Sequence, residues 1–375
     1  MVLNPPFQCP SKIFFDVSHV EAVASVINGR SWTLLTTAGW LDRGIDRNLI
    51  KIIGEPQAIL TNSINPKIKE VLDLGNSLPK TDCIVAIGGG STIDAAKGAV
   101  TLQALNGDED LFIEHLYEGK PLSEEIEPAD IIAVPTTAGT GSEVTRWGTI
   151  WGDDNVKYSV NHFKLYPIAS ILDPNLCFTM PHDVTLASGL DSLSHAMEAV
   201  WNHRHSLFTD EMAMTAIKLI WKSLPLSLEE PNNVEARKGM QMGSLIAGLA
   251  MSTTQTALAH SMSYPFTAYY GMPHGIACSF TLAEVAKYNS ELDMSRLFPI
   301  SSAINCQPES VPDEISKMLK RFNVGVIVSK HLSQNDVDNI ADDLINRSRA
   351  ANNIREADAL AAKQIVHQAM DSLDC

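Results

Sequence analysis

The chain has 375 residues, of which 45% are hydrophobic and 19% charged, a composition typical of a globular protein with a large core. This length favours two domains over one. The formal net charge of −16 argues against binding to nucleic acid or to an anionic membrane. It leaves room for a locally basic pocket that binds a small anion.

Six cysteines occur at irregular spacings and none forms a CxxC pair, which favours buried free thiols over disulfides or a thiolate zinc site. The first residues lack the basic and apolar regions of a signal peptide. No apolar run approaches the roughly 20 residues that a membrane helix needs. We therefore expect a soluble cytoplasmic protein.

The first half of the chain alternates short apolar runs with helical patterns, and a hairpin and a last strand follow. The strands are predicted at 11–16, 31–37, 57–60, 83–89 and 130–137, the helices at 20–27, 45–53, 66–78 and 91–105, the hairpin at 147–160 and the last strand at 168–173. Strand–helix alternation predicts a mostly parallel sheet with helices on both faces. Such sheets bind ligands at the carboxyl ends of their strands.

The fourth predicted strand ends in a glycine run, Gly88, Gly89 and Gly90, and Ser91 then opens a helix. Glycine lets the backbone approach a phosphate, and the free amides of the following helix can hold the anion. Asp94 lies on the first turn of this helix. The pattern is neither GxGxxG nor a P-loop, and a simple tight turn is the alternative interpretation.

A hydroxyl-rich loop follows the fifth predicted strand, with glycines at 139 and 141 that permit close backbone approach. Its hydroxyl residues include Thr136, Thr137, Thr140 and Ser142. A capped loop is the alternative, but two such loops at the ends of parallel strands fit one phosphate-bearing ligand better. Lys157, on the second arm of the hairpin, is a candidate contact for the ribose or phosphate, or a solvated strand lysine.

After about residue 180 the pattern changes to long helices, which we predict at 183–203, 207–224, 233–249, 254–269 and 274–288. We place the domain boundary near 178, between an α/β domain at 1–178 and a helical domain at 179–375.

Four residues of the helical half are candidate metal ligands. Asp191 and His195 are four apart, so on a helix they leave one face, roughly 6 Å apart along the axis. His260 lies in a second helical pattern, and His274 follows Gly271 and Pro273 at the start of a third. Three imidazoles and a carboxylate suit Fe(II), Zn(II), Co(II) or Ni(II). A surface ion pair is the alternative, but the apolar neighbours of His195 and His260 favour a partnered, buried site.

The motifs GGGSTIDAAKG, PTTAGTGSEVT, ILDPNL, GLDSLSHAMEA and the two-histidine block ending in PHGIA resemble, in this order and spacing, the iron-containing (group III) alcohol dehydrogenases. The resemblance runs from about residue 10 to 290. It implies a Rossmann-like N-terminal domain and an all-helical C-terminal domain with the active site between them. It also implies a homodimer, often formed through N-terminal strands.

The resemblance assigns roles to the candidate residues. It implies that Asp191, His195, His260 and His274 hold one divalent metal, Fe(II) or Zn(II). The glycine loop would bind the cofactor pyrophosphate, and the hydroxyl loop would lie beside the nicotinamide half.

Two departures from the family pattern affect the mechanism. Many members carry a histidine four residues after the third ligand as a proton relay, whereas this chain has Tyr264, whose ordinary pKa near 10 suits that role less well. Members that prefer NAD often carry an acidic residue after the second strand, where this chain has Thr37. A small neutral residue there favours NADP over NAD.

We therefore predict a metal-dependent alcohol dehydrogenase or aldehyde reductase that transfers hydride between NAD(P) and a small aldehyde or primary alcohol. The segments 146–167 and 260–275 resemble the branch that reduces phosphonoacetaldehyde to 2-hydroxyethylphosphonate. A local basic cluster consists of Arg146, Lys157, His162 and Lys164. Ordinary surface charge is the favoured interpretation of this cluster, and contact with an anionic substrate tail is the alternative. The alternatives are a lyase of the dehydroquinate synthase type, with NAD and zinc, and a non-catalytic metal-binding protein.

Overall fold

The computed structural model describes residues 6–154 and 156–375. It divides into two compact units. The α/β unit comprises residues 9–137 and 141–179. The helical unit consists mainly of residues 180–375 and also includes the short piece Ala138–Thr140.

A parallel sheet forms the centre of the α/β unit, as predicted, and in the described residues it has six strands. The strands are β1 (Lys12–Phe15), β2 (Trp32–Thr36), β3 (Ile59–Thr61), β4 (Cys83–Gly88), β5 (Asp130–Pro135) and β8 (Ala169–Leu172). Their order is β1-β8-β5-β4-β2-β3, and every neighbouring pair is parallel. Strand β4 is buried along its whole length, as the continuous apolar run of a central parallel strand predicts.

Helices cover both faces of this sheet, and the alternation of β4 side chains separates two cores. Ile84 and Ala86 pack in one core with Val71 and Phe112, whereas Val85 packs in the other. The helices are α1 (His19–Ile27), α2 (Ala38–Asp42), α3 (Ile45–Ile53), α4 (Ile68–Ser77), α5 (Gly90–Ala104) and α6 (Glu109–Glu118). The sequence patterns did not predict α2 and α6.

A hairpin follows the hydroxyl-rich loop, as predicted. Strands β6 (Trp147–Trp151) and β7 (Lys157–Asn161) pair in antiparallel register, with Trp147 opposite Asn161.

Among the residues described, the helical unit contains no β-strand. Its helices are α7 (His182–Val200), α8 (Leu207–Glu229), α9 (Val234–Thr254), α10 (Leu258–Tyr270), α11 (His274–Ser279), α12 (Leu282–Ser290), α13 (Phe298–Ile304), α14 (Val311–Arg321), α15 (Val324–Val328), α16 (Gln334–Asn339), α17 (Arg347–Ala350) and α18 (Ala359–Ser372). One apolar core joins residues from α7 to α18. Throughout 6–154 and 156–375, no helix is both long and apolar enough to cross a membrane.

Several predicted helix bounds in this unit are wrong. The helices predicted to end at 224 and 249 continue to Glu229 and Thr254. The predicted helix 254–269 begins only at Leu258, because Gln255 adopts a positive φ of 63° that ends α9. The predicted helix 274–288 is two helices, with the interruption at the buried residues Phe280 and Thr281. The apolar periodicity continues through this interruption, so it could not reveal the break.

Candidate metal centre and phosphate loop

Helix α7 places Asp191 and His195 on one face, as their spacing predicts. Both side chains are only 7% exposed, and His195 Nε2 lies 3.8 Å from Asp191 Oδ1. The other ring nitrogen of His195, Nδ1, faces the carbonyl oxygen of Gly139 at 3.3 Å. This contact fixes the ring so that Nε2 points towards the carboxylate.

Glu198, on the same helix, orients His260 on α10. Its carboxylate accepts hydrogen bonds from the backbone amides of Ala257 and His260 at 3.0 and 3.1 Å. It also contacts His260 Nδ1 at 2.5 Å. Helix α10 has no side-chain cap of its own at Ala257, so this fully buried carboxylate from α7 replaces one. The same group thus fixes the start of the helix and the orientation of the His260 ring.

Close packing between α11 and α7 brings His274 to the same place. A side chain at Gly275 would overlap the carbonyl oxygen of Ala187, so only glycine permits this approach. His274 Nε2 lies 3.9 Å from Asp191 Oδ1. Its side chain is 30% exposed, whereas that of His260 is 3% exposed.

The four predicted ligands therefore converge on one point in the structure. His260 Nε2 lies 3.5 Å from Asp191 Oδ1, is buried, and has no hydrogen-bond partner among the residues that the structure describes. Tetrahedral coordination with bonds of about 2.0–2.2 Å would place ligand atoms about 3.3–3.6 Å apart. The observed separations of 3.5, 3.8 and 3.9 Å fit a divalent ion after small shifts. A buried imidazole nitrogen without a partner is what a metal ligand leaves when no ion is present.

The electrostatics of this set favour a cation. Burial alone would raise the pKa of Asp191, but the imidazoles of His195, His260 and His274 hold it below its usual range. Burial alone would lower the pKa of His260, but the carboxylates of Glu198 and Asp191 raise it to about 9. Two buried carboxylates thus stabilise positive charge at this point, either a proton or a metal ion.

Cys278 on α11 lies beside the four predicted ligands, which the sequence analysis did not predict. The ligand atoms of Asp191, His260, His274 and Cys278 all lie within 4.8 Å of one another. The thiol donates to Asp191 Oδ1 at 3.4 Å, and burial together with Asp191 raises its pKa well above the ordinary value. Because the neutral thiol already serves as a donor, His195 is the better fourth ligand.

Tyr264 lies one helical turn after His260. Its ring centroid is 6.5 Å from that of His274. Its hydroxyl oxygen accepts a hydrogen bond of 3.3 Å from Nε of Arg349, a residue of α17. The structure therefore places Tyr264 beside the predicted ligands, while its role in proton transfer stays a prediction.

The glycine loop ends β4 and opens α5, as predicted. Helix α5 begins at Gly90 and has no side-chain cap, so its first amides are available to an anion. A side chain at Gly88 would overlap Thr92 on the first turn, which makes glycine necessary there. The Ser91 hydroxyl accepts from the amide of Asn65 at 3.1 Å.

Two threonines of the hydroxyl loop lie next to the glycine loop. The Thr136 amide donates to the Gly88 carbonyl at 2.9 Å. The Thr137 side chain would be 3.3 Å from a Cβ atom at Gly89. Thr140 belongs to the short piece grouped with the helical unit. Thr136 and Thr137 therefore lie beside the glycine loop, and their role as cofactor contacts stays a prediction.

Ser142 and Asp94 take part in a buried network with Lys97. The Ser142 hydroxyl donates to Asp94 Oδ1 at 2.6 Å and accepts from Lys97 Nζ at 2.8 Å. Lys97 also donates to the carbonyls of Ser142 and Trp147, both at 2.7 Å. This network fixes the hydroxyl loop to α5, and the roles of Ser142 and Asp94 as cofactor contacts stay predictions.

Thr37 follows β2 directly and precedes α2, so it lies at the carboxyl end of the strand next to β4.

The predicted basic cluster includes Lys157, whose Nζ lies 5.0 Å from the ring centroid of Trp151. In the predicted basic cluster, Lys164 is paired with Glu127 at 2.6 Å. Arg146 lies over the ring of Trp147 at 5.3 Å.

Two family models together match most of the chain. The iron-containing alcohol dehydrogenase model matches residues 10–174, and the C-terminal model of the Fe-containing alcohol dehydrogenase family matches residues 185–370. This chain belongs to the iron-containing alcohol dehydrogenase family. It is accordingly an oxidoreductase of the alcohol dehydrogenase and aldehyde reductase class, whose members use NAD(P) and an iron-type metal.

Relatives within this family share moderate identity over most of the chain. An alcohol dehydrogenase of Thermococcus barophilus is 34% identical, over 72% of this chain and 68% of its own length. An NADPH-dependent butanol dehydrogenase of Clostridium saccharobutylicum is 31% identical, over 76% of this chain and 75% of its own length. The sulfoacetaldehyde reductase of Bifidobacterium kashiwanohense, solved with NAD+, superimposes with a TM-score of 0.87 at 28% identity, covering 97% of this chain and 98% of that one.

Three residues near the predicted metal ligands were not identified from the sequence. Glu198 was detectable, because a carboxylate in the apolar stretch AMEAV, seven residues after Asp191, falls on the same helix face. Cys278 and Arg349 gave no such signal. Their positions depend on contacts between segments far apart in the chain, which spacing alone does not reveal.

Proposed function

We propose that this chain is a metal-dependent, NAD(P)-linked aldehyde reductase that acts reversibly on a small aldehyde or its primary alcohol. The observation that carries the proposal is the convergence of three imidazoles on one oxygen of Asp191, with separations of 3.5–3.9 Å. A divalent metal bound there would supply a Lewis acid that polarises a carbonyl oxygen.

The residues of the chain have distinct tasks in this proposal. Asp191, His195, His260 and His274 hold the ion, and Glu198 keeps His260 Nε2 directed at it. The more exposed His274 lies on the side from which a small substrate approaches. Fe(II) and Zn(II) both accept such donors, and we propose Fe(II) because the family carries an iron-type metal.

The α/β unit is proposed to bind the dinucleotide. The uncapped start of α5 would take the pyrophosphate, while Thr136 and Thr137 would contact the nicotinamide half. A nicotinamide supplies or accepts the hydride. We propose a preference for NADP, because Thr37 leaves no acidic side chain to repel a 2′-phosphate. The similarity to an NADPH-dependent butanol dehydrogenase supports this preference.

Phosphonoacetaldehyde is the proposed substrate that the sequence resemblance indicates. The similarity to a sulfoacetaldehyde reductase supports a short aldehyde with an anionic group. We also propose a homodimer formed at strand β1, which lies at one edge of the described sheet and carries the exposed Ile13.

The testing experiment is an NADPH- and NADH-oxidation screen over short aldehydes, with the protein loaded separately with Fe(II) and Zn(II). Oxidation that depends on metal and aldehyde, without phosphate release, supports the reductase. Phosphate release from a cyclising substrate would favour a lyase of the dehydroquinate synthase type. A metal-loaded protein that neither binds nor oxidises NAD(P)H would refute the enzymatic proposal.

A further inference from the structure

An arginine that has no carboxylate partner among the described residues lies near the proposed metal centre. Arg349 is half-buried, and within this part of the chain its guanidinium group makes a single hydrogen bond, from Nε to the hydroxyl of Tyr264. A guanidinium group has five N–H donors and keeps its charge at every physiological pH. Partly buried charges in proteins are normally paired, so the other donors of Arg349 are suited to an anionic ligand.

The position of Arg349 is fixed by the fold. The loop before α17 is attached to α10, because the amide of Asn346 donates to the Ser261 hydroxyl at 2.7 Å and that hydroxyl donates to the carbonyl of Leu344 at 3.0 Å. After α17, Asn352 Nδ2 donates to the carbonyl of Thr256 at 2.8 Å. Contacts on both sides of α17 thus hold the guanidinium beside α10.

Tyr264 connects this arginine to the proposed metal centre. It is four residues after His260 and therefore leaves the same face of α10. Its ring lies 6.5 Å from that of His274, which is 30% exposed. The accessible side of the ligand set thus faces a phenol and then a guanidinium, both able to donate hydrogen bonds.

We infer that Arg349 and Tyr264 bind the anionic end of the substrate, and that the substrate is a short aldehyde with a sulfonate or phosphonate group. This inference rests on the proposed function, because it requires the carbonyl group at the metal centre. A planar guanidinium binds two oxygens of one anion at once, and such charge-assisted bonds are the stronger ones. In the basic cluster predicted from the sequence, by contrast, Lys164 is already neutralised by Glu127.

The test compares charged and neutral aldehydes. We would measure kcat/KM of the metal-loaded enzyme for sulfoacetaldehyde, phosphonoacetaldehyde and the neutral propanal, in the wild type and in Arg349→Gln. The wild type should prefer at least one anionic aldehyde over propanal by at least tenfold, and Arg349→Gln should lower this preference at least tenfold. The two anions then show whether sulfonate or phosphonate is the better ligand.

Arg347→Gln is the matched control. Arg347 lies on the same short helix, is exposed, and has the same charge. It should keep the preference of the wild type within about twofold. Equal losses in Arg347→Gln and Arg349→Gln would overturn the inference, because they would indicate only a general effect of positive charge.

A binding measurement provides a readout that does not depend on turnover. The product analogues 2-hydroxyethanesulfonate and 2-hydroxyethylphosphonate should raise the Tm of the wild type and of Arg347→Gln, and should have little effect on Arg349→Gln. The inference is overturned if the wild type reduces propanal as well as both charged aldehydes. If it reduces no aldehyde at all, the proposed function fails first and the inference fails with it.

Discussion

The proposed metal centre of the helical unit is built from buried side chains, whereas the proposed phosphate loop of the α/β unit is built from backbone. At the first, Asp191 and three imidazoles converge to within 3.5–3.9 Å, and Glu198 holds one of the rings. At the second, Gly88 and Gly89 bring the chain to the uncapped start of α5. Substitutions should therefore separate the two sites: removal of a ligand side chain should affect the first, and Cβ addition at Gly88 should affect the second.

The largest expected effect comes from His260→Ala. It removes a ligand and leaves Glu198 buried without its imidazole partner, so metal content should fall below a tenth of the wild-type value and kcat at least 1000-fold. Metal analysis and steady-state kinetics would check both results together. Cys278→Ser, which changes a neighbour outside the proposed ligand set, is the control and should keep the metal.

Gly275→Ala tests whether packing between α7 and α11 is as important as the ligands themselves. The added methyl group would overlap the carbonyl oxygen of Ala187, so α11 must move and take His274 with it. We expect metal affinity to fall at least 100-fold, measured by competition with a chelator. Gly39→Ala, at a position where a Cβ atom meets nothing within 4 Å, should leave it unchanged.

Gly88→Ala is the corresponding change in the α/β unit. The new Cβ would overlap Thr92 and disturb the first turn of α5, so the Kd for NADPH should rise at least tenfold in a fluorescence titration. Metal content should stay at the wild-type value. Loss of metal in Gly88→Ala would contradict the division into a side-chain site and a backbone site.

The smallest expected effect is the pH dependence of stability that Glu198 gives to the metal-free protein. In the metal-free protein the pKa of His260 is raised to about 9, above the value of about 6.5 in an unfolded chain. The folded protein therefore binds this proton more tightly, and the resulting stability is complete below pH ~6.5 and lost as the pH rises to about 9.

Accordingly, the Tm of the metal-free protein should fall across this pH window, as scanning calorimetry can measure. Glu198→Gln should flatten the fall, because it removes the carboxylate that contributes most to raising the pKa. It should also weaken metal binding by about 10- to 100-fold, as is typical for residues that orient a ligand. A Tm that falls equally in both proteins would exclude His260 as its source.

The sequence indicated all four proposed metal ligands, but not the groups that cap their helices and orient their rings. Asp191 and His195 were predictable from helical spacing, and His260 and His274 from a family motif. That α10 begins at Leu258 was not predictable, because Glu198, which caps the helix at Ala257, lies 59 residues before Ala257 in the chain. Local patterns capture periodicity within one helix, whereas caps and orienting groups depend on which helices meet.

Local sequence patterns also failed to show which charged residues lie near the proposed substrate site. The basic cluster predicted from local composition includes Lys164, which the fold pairs with Glu127. Arg349 was not identified from the sequence, yet contacts between α17 and α10 bring it to Tyr264. The fold thus pairs one lysine of the predicted cluster with a carboxylate, and it brings an arginine from a distant part of the chain to the proposed site.

The most direct test of the central claim is X-ray absorption spectroscopy of the protein loaded with Fe(II) or Zn(II). The account predicts a first coordination shell of nitrogen and oxygen only, at about 2.0–2.2 Å, with the imidazole scattering of three histidines. A sulfur scatterer at about 2.3 Å would place Cys278 in the ligand set in the position assigned to His195. That result, or a protein that binds no ion, would contradict the account.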